Sequence, residues 1–116
     1  MLRSSLLILL IITSNFLTAQ NQFNGNISFK VLNDRKIPLE NTSASLIFSK
    51  DSSLYKTGIS DKNGLIEFSY VKAGSYLVKI SAANFEDKYS SLIHITETNA
   101  SISMPDMILV LNKASQ

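Results

Sequence analysis

The feature that most constrains this chain is a pair of consecutive runs, 65–71 and 75–81, in which apolar and polar residues alternate. A side-chain period of two is typical of half-buried strands, because successive side chains point to opposite faces of a sheet. Asn63-Gly64 precedes the first run and Ala73-Gly74 separates the two, and glycine at such places favours a chain reversal. The pattern therefore predicts turn, strand, turn, strand, with the two strands paired as a central antiparallel hairpin.

Alternation of the same kind recurs through the rest of the chain after residue 25, and no stretch keeps a helical period. We count about seven strands spaced by roughly 8 to 12 residues, which is the pattern of a β-sandwich. The fold class predicted is therefore all-β, a single seven-stranded antiparallel β-sandwich. Ile47 breaks the alternation on the outer side of its run. The residues expected in the core lie on the apolar sides of the runs: Phe48, Phe68, Tyr76, Val78 and Ile80.

The amino terminus predicts export. Arg3 is the only charge before a short apolar run, Leu6–Ile12, and the small residue Ala19 precedes a polar stretch. This order describes a secretory signal peptide, whereas a transmembrane anchor would need about 18 apolar residues or more. We therefore divide the chain into a signal peptide (1–19), a β-sandwich domain (20–112) and a polar tail (113–116), with no transmembrane segment after cleavage.

Composition excludes several other classes of protein. The sequence contains no cysteine, so neither a bacterial lipoprotein anchor nor a disulfide is available. The net charge is +2, and acidic and basic residues are interleaved rather than grouped. A nucleic-acid-binding surface would need clustered Lys and Arg, so no nucleic-acid partner is expected.

No residue is predicted to be catalytic, cofactor-binding or metal-binding, and no cofactor is expected. His94 is the only histidine, and it lies between Ile93 and Ile95 on the expected outer face of a strand. The sequence lacks the His/Cys spacing of a metal site and the G-x-S-x-G signature of a serine nucleophile. Asp61–Gly64 is faintly similar to a calcium loop, but turn chemistry explains it better because Ile59 stands where the first ligand would be needed.

A combination of short motifs resembles the carboxypeptidase regulatory-like domain. D-x-N-G at Asp61–Gly64 is followed by an aromatic, Phe68, four residues after that glycine, and A-G-x-Y occurs at Ala73–Tyr76. The similarity extends over roughly residues 24 to 112 and includes Ile37-Pro38-Leu39 and Ala83-Asn84-Phe85. Two positions depart from the family pattern: Phe29 and Asn84 each stand where glycine is common.

The resemblance implies a transthyretin-like sandwich of the variety found at the amino terminus of TonB-dependent-receptor-like outer membrane β-barrel proteins. It implies a non-catalytic accessory domain in the periplasm, or on the periplasmic side of the outer membrane, of a Gram-negative bacterium, with a protein partner in the cell envelope. No plug or barrel lies within the 116 residues, so a fragment, a truncated product or a stand-alone module is expected. The alternative is a carbohydrate- or peptide-binding module that uses exposed aromatics among Tyr55, Tyr70 and Tyr89.

Overall fold

The computed structural model describes residues 24–113, which form two β-sheets in a sandwich. No helix occurs in this part of the chain, so the predicted all-β class is confirmed. The predicted signal peptide (1–19) and residues 114–116 of the predicted tail lie outside the described residues. The strands are β1 (Gly25–Asn33), β2 (Ser43–Phe48), β3 (Leu54–Ile59), β4 (Leu65–Val71), β5 (Gly74–Ser81), β6 (Lys88–Tyr89), β7 (Ile93–Ile95), β8 (Ser101–Ser103) and β9 (Met107–Leu109).

Sheet 1 has β1 at its centre. Its strand order is β4-β1-β8, and β9 continues along the same edge of β1 beyond β8. β4 runs antiparallel to β1, whereas β8 and β9 run parallel to it. The expectation of a wholly antiparallel sandwich is therefore wrong. A parallel neighbour needs a long connection, and residues 34–100, which build the rest of the sandwich, supply it.

Sheet 2 has the order β3-β2-β5-β6, with β7 continuing along β5 beyond β6, and its pairings are all antiparallel. Residues 90–92 separate β6 from β7, and residues 104–106 separate β8 from β9. Each of these two edge positions is therefore occupied by two short strands. Residues 24–113 accordingly contain nine strands where seven were predicted.

The predicted central hairpin is wrong. β4 pairs with β1 in sheet 1 and β5 pairs with β2 in sheet 2, so the connection at Lys72-Ala73 carries the chain from one sheet to the other. Apolar and polar residues alternate in both runs because one face of each strand packs against the shared core, β4 from sheet 1 and β5 from sheet 2. Sheet 2 contains consecutive antiparallel pairs of its own, β2–β3, joined by residues 49–53, and β5–β6, joined by residues 82–87.

The core forms where the inner faces of the two sheets meet. Phe68, Tyr76, Val78 and Ile80 are at most 2 % exposed, as predicted. Phe48 is only half-buried, because it lies at one end of the core against the rings of Tyr55 and Tyr76. Outside the main cluster, Ile47 is buried on the outer side of β2, where Leu54 and Leu77 flank it across the sheet.

Tyr70 departs from the alternation of β4. The pairing register with β1 shifts between Gly25 and Ile27, opposite Ser69 and Tyr70. Tyr70 takes up the shift with a φ of 57°, a left-handed conformation that costs a non-glycine residue about 1–2 kcal/mol. Its side chain is consequently 71 % exposed, and Val71 is buried in its place. A regular pleat would place Tyr70 on the same side as Phe68.

The turn before β4 has the predicted conformation. Gly64 has a φ of 76°, and a Cβ atom there would lie 2.6 Å from the carbonyl oxygen of Val31. That same region of β1 is bonded to the turn, since the Val31 N–H donates to the Gly64 carbonyl at 2.8 Å. Glycine is therefore required at this position for two reasons, its backbone conformation and the close approach of β1.

The two sheets differ in width. Over residues 24–113, sheet 1 has three strand positions (β4, β1, β8/β9) and sheet 2 has four (β3, β2, β5, β6/β7). On one side of the sandwich β3 and β4 lie next to each other. On the other side, which we call the open side, the sandwich is bounded by β6/β7 of sheet 2 and β8/β9 of sheet 1.

Candidate functional site

No group of three or more His, Asp or Glu side chains that could hold a metal ion is present among residues 24–113. His94 is exposed on the outer face of β7, as predicted, and its Nδ1 lies 2.8 Å from Ser75 Oγ on the neighbouring strand β5. A serine nucleophile needs a histidine that is itself oriented by a third group. The structure gives His94 no such carboxylate within the described residues, so the pair is a cross-strand contact.

The stretch that is faintly similar to a calcium loop is a turn. Asp61 Oδ1 accepts hydrogen bonds from the N–H groups of Asn63 at 2.8 Å and Leu65 at 3.0 Å. The Gly64 N–H donates to the Asp61 carbonyl at 2.9 Å. An aspartate that bonds its own backbone in this way stabilises the reversal. The preference for turn chemistry over a calcium loop agrees with this geometry.

Three aromatic rings pack at one end of the core. The ring centroids of Phe48, Tyr55 and Tyr76 are 4.9 to 5.5 Å apart. Tyr76 OH donates to the Lys72 carbonyl at 2.7 Å, and the Lys72 N–H donates to Tyr55 OH at 3.2 Å. Burial raises the pKa of Tyr76 above its ordinary value near 10, because a phenolate is poorly solvated there. These rings therefore hold the link between β4 and β5 in place.

The three tyrosines considered for ligand binding do not converge. Tyr55 is half-buried within the ring cluster, and Tyr70 lies beside it on β4 at the side where β3 and β4 meet. Tyr89 is also exposed, but it lies on β6 at the open side. A carbohydrate platform built from all three is therefore excluded by their placement, and Tyr70 alone remains as an exposed aromatic on its side.

The open side carries a concave surface. Two adjoining cavities of about 160 and 300 Å³ lie between β6/β7 and β8/β9, and they share Ser91, Met104 and Pro105. We call them together the open-side groove; it is lined by Lys88–His94, Asn99 and Ile102–Met107. Its apolar lining includes Leu92, which is 52 % exposed, and the partly buried Ile102 and Met104.

Strand β8 presents free backbone groups to this groove. The Asn26 N–H donates to the Ala100 carbonyl at 2.8 Å, and the Met104 N–H donates to the Ser28 carbonyl at 2.9 Å. Since alternate residues of a strand direct their N–H and C=O groups to opposite edges, those of Ser101 and Ser103 point away from β1. β8 pairs with no second strand among residues 24–113. Two residues therefore offer four backbone groups at the rim.

The open-side groove is short, because the chain closes it at both ends. At one end the chain passes from β7 to β8 through the turn at Thr96–Asn99, whose first and last residues bridge each other. At the other end Phe85 bridges Leu111, and the Glu86 N–H donates to the Val110 carbonyl at 2.9 Å. About four to six extended residues, at 3.3 Å each, would span β8 and the break before β9.

The edges on the opposite side carry features that discourage strand addition. Lys56 on β3 pairs across the sheet with the buried Leu46, so its charged side chain projects from the inner face of sheet 2. The irregular pairing at Tyr70 bends β4 away from a regular ladder. Inward-pointing charges and bulges are the means by which proteins protect sheet edges. β8 carries no charge and its pairing with β1 has no register shift, so it lacks both of these protections.

The sequence did not single out this site. The run Ser101–Met104 alternates for only four residues, too few to separate a strand from a loop, and the groove also requires the break at Pro105 to lie beside the break at Ser91. The only usable signal was the proline, which is excluded from the interior of a sheet and marks an edge.

Comparison with known proteins supports the fold. No protein-family model matches the chain, and no curated protein matches it. Among solved structures, the TIE protein of Bacillus anthracis has a TM-score of 0.63 at 14 % identity, covering 76 % of this chain and 17 % of its own. BcpA, the major pilin subunit of Bacillus cereus, has a TM-score of 0.58 at 18 % identity, covering 77 % of this chain and 30 % of its own.

A third structure comes from a different assembly. A chain of a type II cohesin–X-dockerin complex of Acetivibrio cellulolyticus has a TM-score of 0.55 at 20 % identity, covering 73 % of this chain and 56 % of its own. The chain thus spans less than two thirds of the length of each of these proteins. At such identities the likeness establishes a shared β-sandwich fold. The resemblance to the carboxypeptidase regulatory-like domain stays a prediction from the sequence motifs.

Proposed function

We propose that this protein is a non-catalytic β-sandwich interaction domain that binds a protein partner through the open-side groove. The observation that carries the proposal is the unequal width of the two sheets, which leaves an uncharged strand edge beside a cavity lined without Asp, Glu, Lys or Arg. An unpaired strand edge offers backbone groups with which a partner's strand can pair. The fold shared with pilin subunits and with a chain of a cohesin–X-dockerin complex, whose names describe assemblies, supports the same reading.

We further propose that the domain is exported and works in the envelope of a Gram-negative bacterium, as an accessory domain of an outer membrane receptor-like protein. Support comes from the signal-peptide pattern at residues 1–19 and from the motifs at Asp61–Gly64 and Ala73–Tyr76. Within residues 24–113 the structure has no helix long and apolar enough to cross a membrane.

Envelope crosslinking with the purified protein as bait tests the proposed function. Leu92→Glu places a charge in the groove and should abolish recovery of the partner. Leu54→Glu is the matched control, because Leu54 is similarly exposed, at 59 %, but lies on β3 at the opposite side. Equal recovery of one defined envelope protein by the parent and by Leu92→Glu would contradict binding through the groove.

One observation favours carbohydrate as a second candidate ligand. Tyr70 is the most exposed of the large apolar side chains in the described region, at 71 %. An exposed aromatic ring suits stacking against a sugar. Glycan-array binding that is lost in Tyr70→Ala, with no protein partner recovered, would favour this candidate over a protein partner.

A further inference from the structure

We infer that the open-side groove receives a short, uncharged, extended segment of a partner chain, which adds to β8 as a further strand of sheet 1. The inference rests on the proposed function and specifies the chemistry of its partner. Sheet 1 has three strand positions against four in sheet 2, counted over the described residues. An added strand would bring sheet 1 to the same number of strand positions as sheet 2.

The backbone of β8 selects an extended peptide over other ligands. The four free groups belong to Ser101 and Ser103, and they alternate as donor and acceptor along the edge. A peptide in β conformation has the complementary alternation at the same spacing, so it can satisfy all four groups together. A sugar or a helix has no such repeat.

The charges around the groove define the side chains of the segment. The larger cavity is lined without any Asp, Glu, Lys or Arg, and the smaller one has Lys88 and Asp106 alone. A charged side chain entering the larger cavity would lose hydration without gaining an opposite charge. The complementary segment is therefore neutral along β8.

The alternation of a strand fixes where its apolar residues stand. Every second side chain of the added segment points inward, between the sheets, where Leu92, Ile102 and Met104 provide an apolar lining. The side chains between them point outward, level with the exposed Ser101 and Ser103. We expect a segment of four to six residues with apolar side chains at alternate positions and small polar ones between.

Selection from a phage-displayed library of random heptapeptides on the purified protein tests the inference. The selected peptides should share a neutral, alternating apolar pattern. In a synthetic copy of a selected peptide, N-methylation of one amide that faces β8 should weaken binding by at least roughly tenfold, because it removes one hydrogen bond and adds a clash.

Two proline variants test which strand edge binds the peptide. Ser103→Pro removes an N–H that points away from β1, so β8 keeps its pairing while the peptide loses a partner. Thr57→Pro is the matched control on β3: the Ser60 N–H donates to the Thr42 carbonyl at 3.0 Å, so alternation directs the Thr57 N–H away from β2. Unchanged melting temperatures in both variants establish that each remains folded.

The outcomes separate the inference from the proposed function. Loss of peptide binding in Ser103→Pro but not in Thr57→Pro supports strand addition to β8. Loss only in Thr57→Pro overturns the inference in favour of β3. A third outcome is that peptide binding is unchanged by N-methylation and by both proline variants, while Leu92→Glu still abolishes recovery of the envelope partner. This outcome overturns strand addition but leaves the proposed interaction function intact.

Discussion

At the scale of single residues, Phe68 links the two sheets. Its ring lies 6.4 Å from that of Phe29 within sheet 1, and from across the core Gly58 of β3 approaches it so closely that a Cβ atom there would be 3.3 Å from the ring. Phe68→Ala should lower the free energy of unfolding by about 3–5 kcal/mol, since it leaves a cavity that neighbouring strands cannot fill. Chemical denaturation measures this loss.

Tyr70→Ala is the control for Phe68→Ala on the same strand. Its side chain is exposed, and surface substitutions usually change stability by less than about 0.5 kcal/mol. Equal denaturation midpoints for Phe68→Ala and Tyr70→Ala would show that the register of β4 is wrong.

Gly64 is the residue whose replacement should strain the backbone most directly. Gly64→Val combines a positive φ with a contact to the Val31 carbonyl, and a β-branched residue tolerates neither. We expect a loss of about 2–3 kcal/mol in thermal or chemical unfolding. Gly74 differs from Gly64 in having no positive φ. A Gly64→Val variant as stable as the parent would refute the assigned turn.

The sequence predicted which side chains are buried only where the strand keeps a regular pleat. Phe68, Val78 and Ile80 are buried as the alternation predicted, and Gly64 has the positive φ expected of its turn. Tyr70 could not be placed, because a bulge moves every later side chain to the other face. The residue types in β4 give no indication of that shift.

At the scale of strands, Lys56 has a protective role on β3. It is the only charge in Leu54–Ile59, and its Nζ lies 5.2 Å from the Tyr55 ring centroid. Lys56→Val would leave a six-residue uncharged edge strand, which is prone to pair with other copies. Sedimentation velocity should show concentration-dependent association.

Lys72→Val is the matched control for Lys56→Val. Lys72 is exposed in the link between β4 and β5, outside any strand, so its replacement should leave sedimentation as in the parent. A Lys56→Val protein that also sediments as the parent would show that the charge does not protect the edge.

Strand pairing was the part of the fold that sequence could not provide. Alternation identifies which residues form a strand, but the partner of β4 is β1, more than thirty residues earlier. The Ala73-Gly74 reversal has the same composition whether it closes a hairpin or crosses between sheets. The open-side groove depends on one such distant pairing, that of β1 with β8/β9, so it was not predictable.

At the scale of the whole molecule, export stays a prediction. Arg3, the apolar run Leu6–Ile12 and Ala19 predict a mature protein that begins at or near Gln20. Intact mass spectrometry of the protein isolated from the cell envelope measures the amino terminus. Retention of residues 1–19 in that material would contradict the signal peptide.

The parallel pairing of β1 with β8 affects when the fold can be completed during synthesis. Asn26 and Ser101 are 75 residues apart, yet their side chains are hydrogen-bonded in the finished protein. The ribosome releases β1 before β8/β9. The edge of β1 that pairs with β8/β9 therefore stays unpaired until almost the entire domain has emerged. Closing so long a loop makes folding slow. The nascent chain therefore stays incompletely folded until its last strands are released, and a premature stop before Ser101 would expose the central strand of sheet 1.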